Sequence, residues 1–106
     1  MPKFLLQVSY TADGAKGLLK DGGTKRRAVS TTLIQSLGGK LESFYYAFGA
    51  TDVVVIAEMP DNAAAAAASL TLASSGAATS TITVLLTPED LDQVVKKTGT
   101  YTPPGR

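Results

Sequence analysis

The chain has 106 residues, 44% of them hydrophobic, which predicts one globular domain. Its net charge of +1 gives no electrostatic reason to expect nucleic acid or a membrane as a partner. Neither cysteine nor histidine occurs, which excludes disulfides, thiolate or histidine metal sites and Ser-His-Asp catalysis, so that no metal or cofactor is predicted.

The N-terminal third predicts a strand followed by a helical segment. Residues 3–10 alternate between two sets of side chains, as a strand requires. The stretch Thr11 to Gly14 then breaks the alternation and can begin a helix. From Ala15 to Leu37 the pattern is mostly helical, and Gly22-Gly23 predicts a kink or a division into two pieces.

The most strongly patterned stretch, Lys40 to Met59, predicts a β-hairpin. Strict alternation places one set of side chains of its first strand on one face (Leu41, Ser43, Tyr45) and another set on the other (Phe44, Tyr46, Phe48). Gly49, in the connection, is free to take a positive φ. Val53 to Met59 is apolar on both faces, which predicts that this strand is covered on both sides.

The second half predicts a helix and a fourth strand. Pro60 to Asn62 marks a turn with a helix N-cap, and the alanine run Ala63 to Ala68 favours a helix that lies close to the sheet. Gly76 is expected to end this helix, and Ser80 to Leu86 alternates as a strand.

A short helix and a tail complete the chain. Thr87 to Asp90 combines a capping hydroxyl, a proline and two acids, which predicts a helix that continues to about Lys97. We predict one domain over residues 1–98 and an extended tail over residues 99–106. No signal peptide and no membrane span are predicted, so the expected location is cytoplasmic.

The order of these elements predicts an α+β fold with the ferredoxin-like βαββαβ order, a short C-terminal helix and a four-stranded antiparallel sheet. Both main helices would cover the same face of the sheet. The opposite face would then expose an apolar patch, which a second copy of the chain would cover. The partner expected from the patterning is therefore the chain itself, as a homodimer, and open sheet edges leave a higher oligomer as an alternative.

Several segments resemble those of the GYD-domain family of small bacterial and archaeal proteins. They are MPKFLLQVSYTADGAKGLLKDGG, RRA at Arg26 to Ala28, LGGKLESFYYAFGATDVVV, MPDN, LLTPEDLD and YTPPG. The resemblance implies a dimeric α+β barrel, in which two ferredoxin-like sheets pack face to face, but it implies no reaction. The family's hairpin usually has the form FG-x-YD, whereas Thr51 stands here in place of the tyrosine.

Polar side chains near strand ends and the single basic run are the candidates for a ligand site. The candidate ligand-binding residues are Ser9, Tyr10, Arg26, Arg27, Tyr45 and Asp52. Each also has a structural interpretation. Asp52 can satisfy backbone N–H groups of a turn, the tyrosines can pack in the core or an interface, and the arginines can lie on a solvated helix face.

Three functional hypotheses remain open from the sequence. The first is a homo-oligomeric protein that binds a small polar or anionic molecule at the sheet or dimer interface, or serves a structural role. The second is a cofactor-independent isomerase or monooxygenase, in which Tyr and Asp groups would act because no histidine is present. The third is a ligand-sensing module, although no DNA-binding segment is attached.

Overall fold

The computed structural model describes residues 1–106 and shows one sheet with helices. The elements are β1 (Lys3–Tyr10), α1 (Ala12–Asp21), α2 (Gly23–Ser36), β2 (Lys40–Tyr46), β3 (Val53–Glu58), α3 (Asn62–Ser74), β4 (Ala78–Leu85) and α4 (Pro88–Val94). All strand pairs are antiparallel, and the strand order is β2-β3-β1-β4. The predicted α+β, ferredoxin-like fold is therefore confirmed. None of the helices is both long enough and apolar enough to cross a membrane.

The hydrophobic core lies between one face of the sheet and the helices α2 and α3. It is built from alternate side chains of the two central strands and from small side chains of α3. Its members are Phe4, Leu6, Val8, Ile34, Val53, Val55, Ala57, Met59, Ala65, Ala68 and Ala78. Because the alanines of α3 project so little, this helix lies close to β4, as the alanine run predicted.

The opposite face of the sheet carries no helix. The residues that alternate with the core on the four strands are partly or fully exposed, and their register brings apolar and small polar side chains side by side. We call this set the open face: Leu5, Gln7, Ser9, Tyr45, Val54, Ile56, Thr79, Thr81, Thr83 and Leu85. As predicted, the helices of the chain cover only one face of the sheet.

The long helical segment is divided at Gly22, as the glycine pair predicted. Gly22 has a φ of 82°, a left-handed conformation that glycine adopts at little cost. Its N–H donates to the Leu18 carbonyl at 2.8 Å and closes α1, and α2 begins at the next residue. Thr11 caps α1 by accepting a hydrogen bond from the Gly14 N–H at 3.2 Å.

The strict alternation predicted for the hairpin is wrong at Leu41, and the left-handed residue of the connection is not its glycine. The register shifts between Leu41 and Ser43, and this β-bulge turns Leu41 toward the core together with Phe44. The positive φ of the connection falls at Phe48, with a value of 53°, and not at Gly49. The Phe48 ring stacks on Tyr46 with the ring centroids 6.1 Å apart, a contact that helps offset the strain of the left-handed backbone.

Two glycines of α1 provide a matched test of this packing. A Cβ at Gly14 would lie 1.9 Å from the Ala77 carbonyl oxygen, whereas a Cβ at Gly17 would meet nothing within 4 Å. We expect Gly14→Ala to lower the free energy of unfolding by about 2 kcal/mol or more because backbone must move. Gly17→Ala should raise it by about 0.5–1 kcal/mol through helix propensity.

Chemical denaturation of the two variants beside the wild-type chain measures both effects. Equal effects of the two substitutions would contradict the close approach of α1 to the segment that precedes β4.

Candidate functional site

A cavity of about 70 Å³ lies between α2, α3 and the covered face of the sheet. It forms because α2 packs over β2 while α3 packs over β4, so the two helices leave a cleft above the central strands. Its walls are mostly apolar. The lining residues are Leu6, Val8, Tyr10, Arg26, Ser30, Leu33, Ile34, Phe44, Val53, Val55, Ala68, Leu72, Ser75, Ala77 and Ala78.

Polar groups collect at the end of the cavity where β1 finishes and α2 begins. Arg26, in the first turns of α2, has a side chain that is 31% exposed and lies 3.4 Å (Nη1 to Oδ2) from Asp21. Tyr10 stands at the end of β1, and both it and Arg26 line the cavity. The hydroxyl of Tyr46 lies nearby and donates to the Gly23 carbonyl at 2.9 Å.

Both tyrosines at this end hold their protons more firmly than usual. Burial raises the pKa of Tyr10 above its ordinary value, and the negative charges of Tyr46 and Asp52 add to the rise, while Arg26 opposes it. Burial likewise raises the pKa of Tyr46, again against the positive charge of Arg26. At neutral pH both side chains therefore carry a neutral hydroxyl, which can donate a hydrogen bond but cannot act as a tyrosinate base.

Asp52 has a structural task, one of the two interpretations that the sequence left open. Its carboxylate accepts a hydrogen bond from the Tyr10 N–H at 2.8 Å, and its own N–H donates to the Val8 carbonyl at 2.8 Å. The Asp52 carbonyl accepts from the Ala47 N–H at 2.9 Å. These bonds tie the hairpin connection to the end of β1 and so hold the Tyr10 backbone in place.

The remaining predicted residues lie elsewhere. Arg27 and Tyr45 line a shallow groove on the outer edge of β2, together with Gly23, Thr24, Phe44 and Tyr46. Ser9 lies on the open face, because it alternates with Tyr10 along β1. Of the six candidates, Tyr10 and Arg26 line one cavity, and Asp52 supports Tyr10 through its backbone. Arg27, Tyr45 and Ser9 lie outside that cavity.

Several cavity residues were not among the candidates from the sequence. Phe44 lines the cavity from β2, and Tyr46, two residues further along the same face, lies beside the cavity without lining it; alternation along β2 could have identified both. Ser30 and Ser75 carry no signal of their own, because serine on a helix is ordinary. No group of three or more Asp or Glu side chains is arranged so that it could hold a metal ion.

Comparisons with known proteins agree with the resemblance seen in the sequence. The model of one protein family, described as the GYD domain, matches residues 4–95. A search of curated proteins and a search of solved structures gave no match.

The tyrosine environment predicts how the folded chain responds to alkali. The folded-state pKa values of Tyr10 and Tyr46 lie above the ordinary 10.0, so their contribution to stability is fully present below pH 10. It is lost as the pH rises through the folded-state values, because the unfolded chain then loses its protons first. In a spectroscopic titration of native protein, the double variant Tyr10→Phe/Tyr46→Phe should lack the latest part of the tyrosinate absorbance. An unchanged late part would contradict this assignment.

Proposed function

The chain belongs to the GYD-domain family, and we propose that it is a homo-oligomeric member that binds a small molecule with an apolar body and one anionic group. The observation that carries the proposal is the apolar cavity with Arg26 and Tyr10 at one end. A mostly apolar pocket with a few convergent polar groups is typical of small-molecule sites, because the walls supply affinity and the polar groups fix orientation.

The size of the cavity limits the ligand. A volume of about 70 Å³ holds about five water molecules. This is below the range of roughly 300–1,000 Å³ that is common for drug-sized ligands. A short-chain carboxylate is of the right class, since its alkyl chain would fill the space above the central strands and its carboxylate would reach the polar end.

The charges at the polar end favour an anion over a cation. Arg26 offers a planar guanidinium that can bind a carboxylate through two parallel hydrogen bonds. The neutral Tyr10 hydroxyl can donate a further bond. Asp21 lies beside Arg26, with the two side chains 3.4 Å apart, and orients the guanidinium without enclosing it, because the Arg26 side chain stays partly exposed.

The enzyme alternative receives less support from the same residues. A cofactor-independent isomerase or monooxygenase needs a base near its substrate. The raised pKa values keep Tyr10 and Tyr46 protonated, and the Asp52 carboxylate is engaged with the Tyr10 N–H. Binding is therefore the function that these groups favour.

The homo-oligomeric part of the proposal depends on the open face. Leu5, Val54 and Ile56 lie side by side on the two central strands and are only partly buried within one chain. A second copy placed face to face would bury them, and the resulting pair of sheets would form a dimeric barrel.

Ligand binding can be tested with pentanoate and its uncharged isostere pentanamide. Pentanoate should raise the thermal unfolding midpoint of the chain, and pentanamide should do so much less, because only the carboxylate pairs with Arg26. Arg26→Gln should weaken pentanoate binding about tenfold or more, the loss expected when a charged hydrogen bond is removed. Lys25→Gln is the matched control, since it removes one positive charge and also an ion pair with Asp21.

Equal stabilisation by the acid and the amide, or equal losses in the two variants, would contradict an anion site at Arg26. Calorimetric titration of each variant with pentanoate gives the affinities directly.

Self-association can be tested by light scattering at micromolar concentration. The wild-type chain should have the mass of a dimer or a larger assembly, and Ile56→Asp should be a monomer because it places a charge in the buried centre of the interface. Leu19→Asp is the matched control, since Leu19 is 87% exposed but lies on α1. A monomeric wild-type chain, or dissociation by both substitutions, would contradict the proposed interface.

A further inference from the structure

The C-terminal arm, residues 86–106, lies outside the packed sheet and helices of the domain. Within the domain, each helix from α1 to α3 packs against a strand or a neighbouring helix, whereas α4 makes no extensive contact with another element. The longest dimension of the chain is 58 Å, against 32 and 22 Å along the other axes. The radius of gyration is 16.8 Å, whereas a compact domain of this length has about 13 Å. The arm therefore projects from the body.

The helix in this arm is well specified at its start. The Thr87 hydroxyl accepts from the Asp90 N–H, and the Asp90 carboxylate accepts from the Thr87 N–H, both at 3.0 Å. This capping box, with Pro88 in the first turn, fixes the direction in which the chain leaves β4. A helix of seven residues is nevertheless marginal by itself in water, so it needs a surface to pack on.

One side of α4 is apolar and exposed. Leu91, Val94 and Val95 follow the i, i+3, i+4 spacing that brings side chains onto one helix face. They are 51%, 45% and 67% exposed, respectively. Leu86, which precedes the helix, and Tyr101, which follows it, are exposed as well. The arm thus carries an apolar stripe of which its own chain leaves about half or more exposed.

The chain exposes more surface than a compact monomer of its mass, and the excess is large enough to form a dimer interface. A monomeric protein of 10.9 kDa exposes about 5,600 Å², whereas this chain exposes 7083 Å². The excess of about 1,500 Å² exceeds the roughly 800 Å² that each partner buries in a standard interface. Over two copies it amounts to about 3,000 Å², within the roughly 2,000–5,000 Å² that obligate homodimers bury in total. A second copy with the same excess is an occupant that can remove it.

We propose that the C-terminal arm of each chain packs, through the Leu91, Val94 and Val95 side of α4, on the body of a second copy. This inference rests on the proposed homodimer and adds a reciprocal exchange of arms to it. Under twofold symmetry the contact occurs twice, so that both arms are covered at once. The open face and the arm then belong to one continuous interface, because residues 86–95 follow directly on the end of β4.

The first test compares two charge insertions in α4 of the full-length chain. Leu91→Asp should raise the dimer dissociation constant at least tenfold in sedimentation velocity, because a charge would be buried in the contact. Gln93→Asp, at a position two residues away that is also exposed, should leave the constant within about twofold. Equal effects of Leu91→Asp and Gln93→Asp would overturn the proposal.

The second test separates packing on the partner from folding back on the same chain. Hydrogen exchange at the Leu91 and Val95 amides, which donate within the helix at 3.0 Å, should be slow above the dissociation constant and fast on dilution below it. Slow hydrogen exchange at every concentration, or fast hydrogen exchange in the intact dimer, would overturn the proposal that each arm packs on the partner.

The Ile56→Asp chain distinguishes this proposal from the homodimer on which it rests. A wild-type dimer that Ile56→Asp dissociates and Leu91→Asp leaves intact would overturn only the arm exchange. A wild-type monomer would overturn the homodimer as well.

Discussion

The sheet of this chain has two faces to cover and helices for only one of them. The central strands β1 and β3 carry apolar side chains in both directions, so that Phe4 and Leu6 reach the helices while Leu5 and Ile56 do not. Stable domains bury each apolar face of a sheet against another layer. A single chain of this length provides two layers, and in the proposed dimer the second copy would provide the third. The proposed dimer and the proposed arm contact both follow from this constraint.

The covered face owes its cavity to the way in which the helix layer is built. Gly22 ends α1 and lets α2 turn along β2, and the alanine-rich α3 lies against β4, so the middle of the sheet receives little side-chain volume from above. At the end of β1, Asp52 fixes the Tyr10 backbone, and Arg26 lines the cavity from α2. The connection between β2 and β3 therefore stabilises one wall of the candidate site even though none of its own residues lines the cavity.

Elements with a local cause were predictable from the sequence, and features that depend on tertiary contacts were not. The division at Gly22 and the cap of α4 follow from glycine conformation and from capping side chains, so periodicity and residue type sufficed. The bulge that redirects Leu41 depends on packing against β3, and the left-handed Phe48 depends on the ring of Tyr46. A pattern of strict alternation carries no information about either contact. The cavity arises from the spacing of α2 and α3, and no short motif encodes that distance.

The account as a whole depends on the folded chain being part of an assembly of identical copies. The most direct test is the thermal unfolding midpoint measured over a hundredfold range of protein concentration. If a second copy covers the open face, association favours the folded state by mass action, and the midpoint should rise by several degrees with concentration. A reversible transition with the same midpoint at every concentration would show that one chain is stable with its open face and arm uncovered, and it would contradict the account.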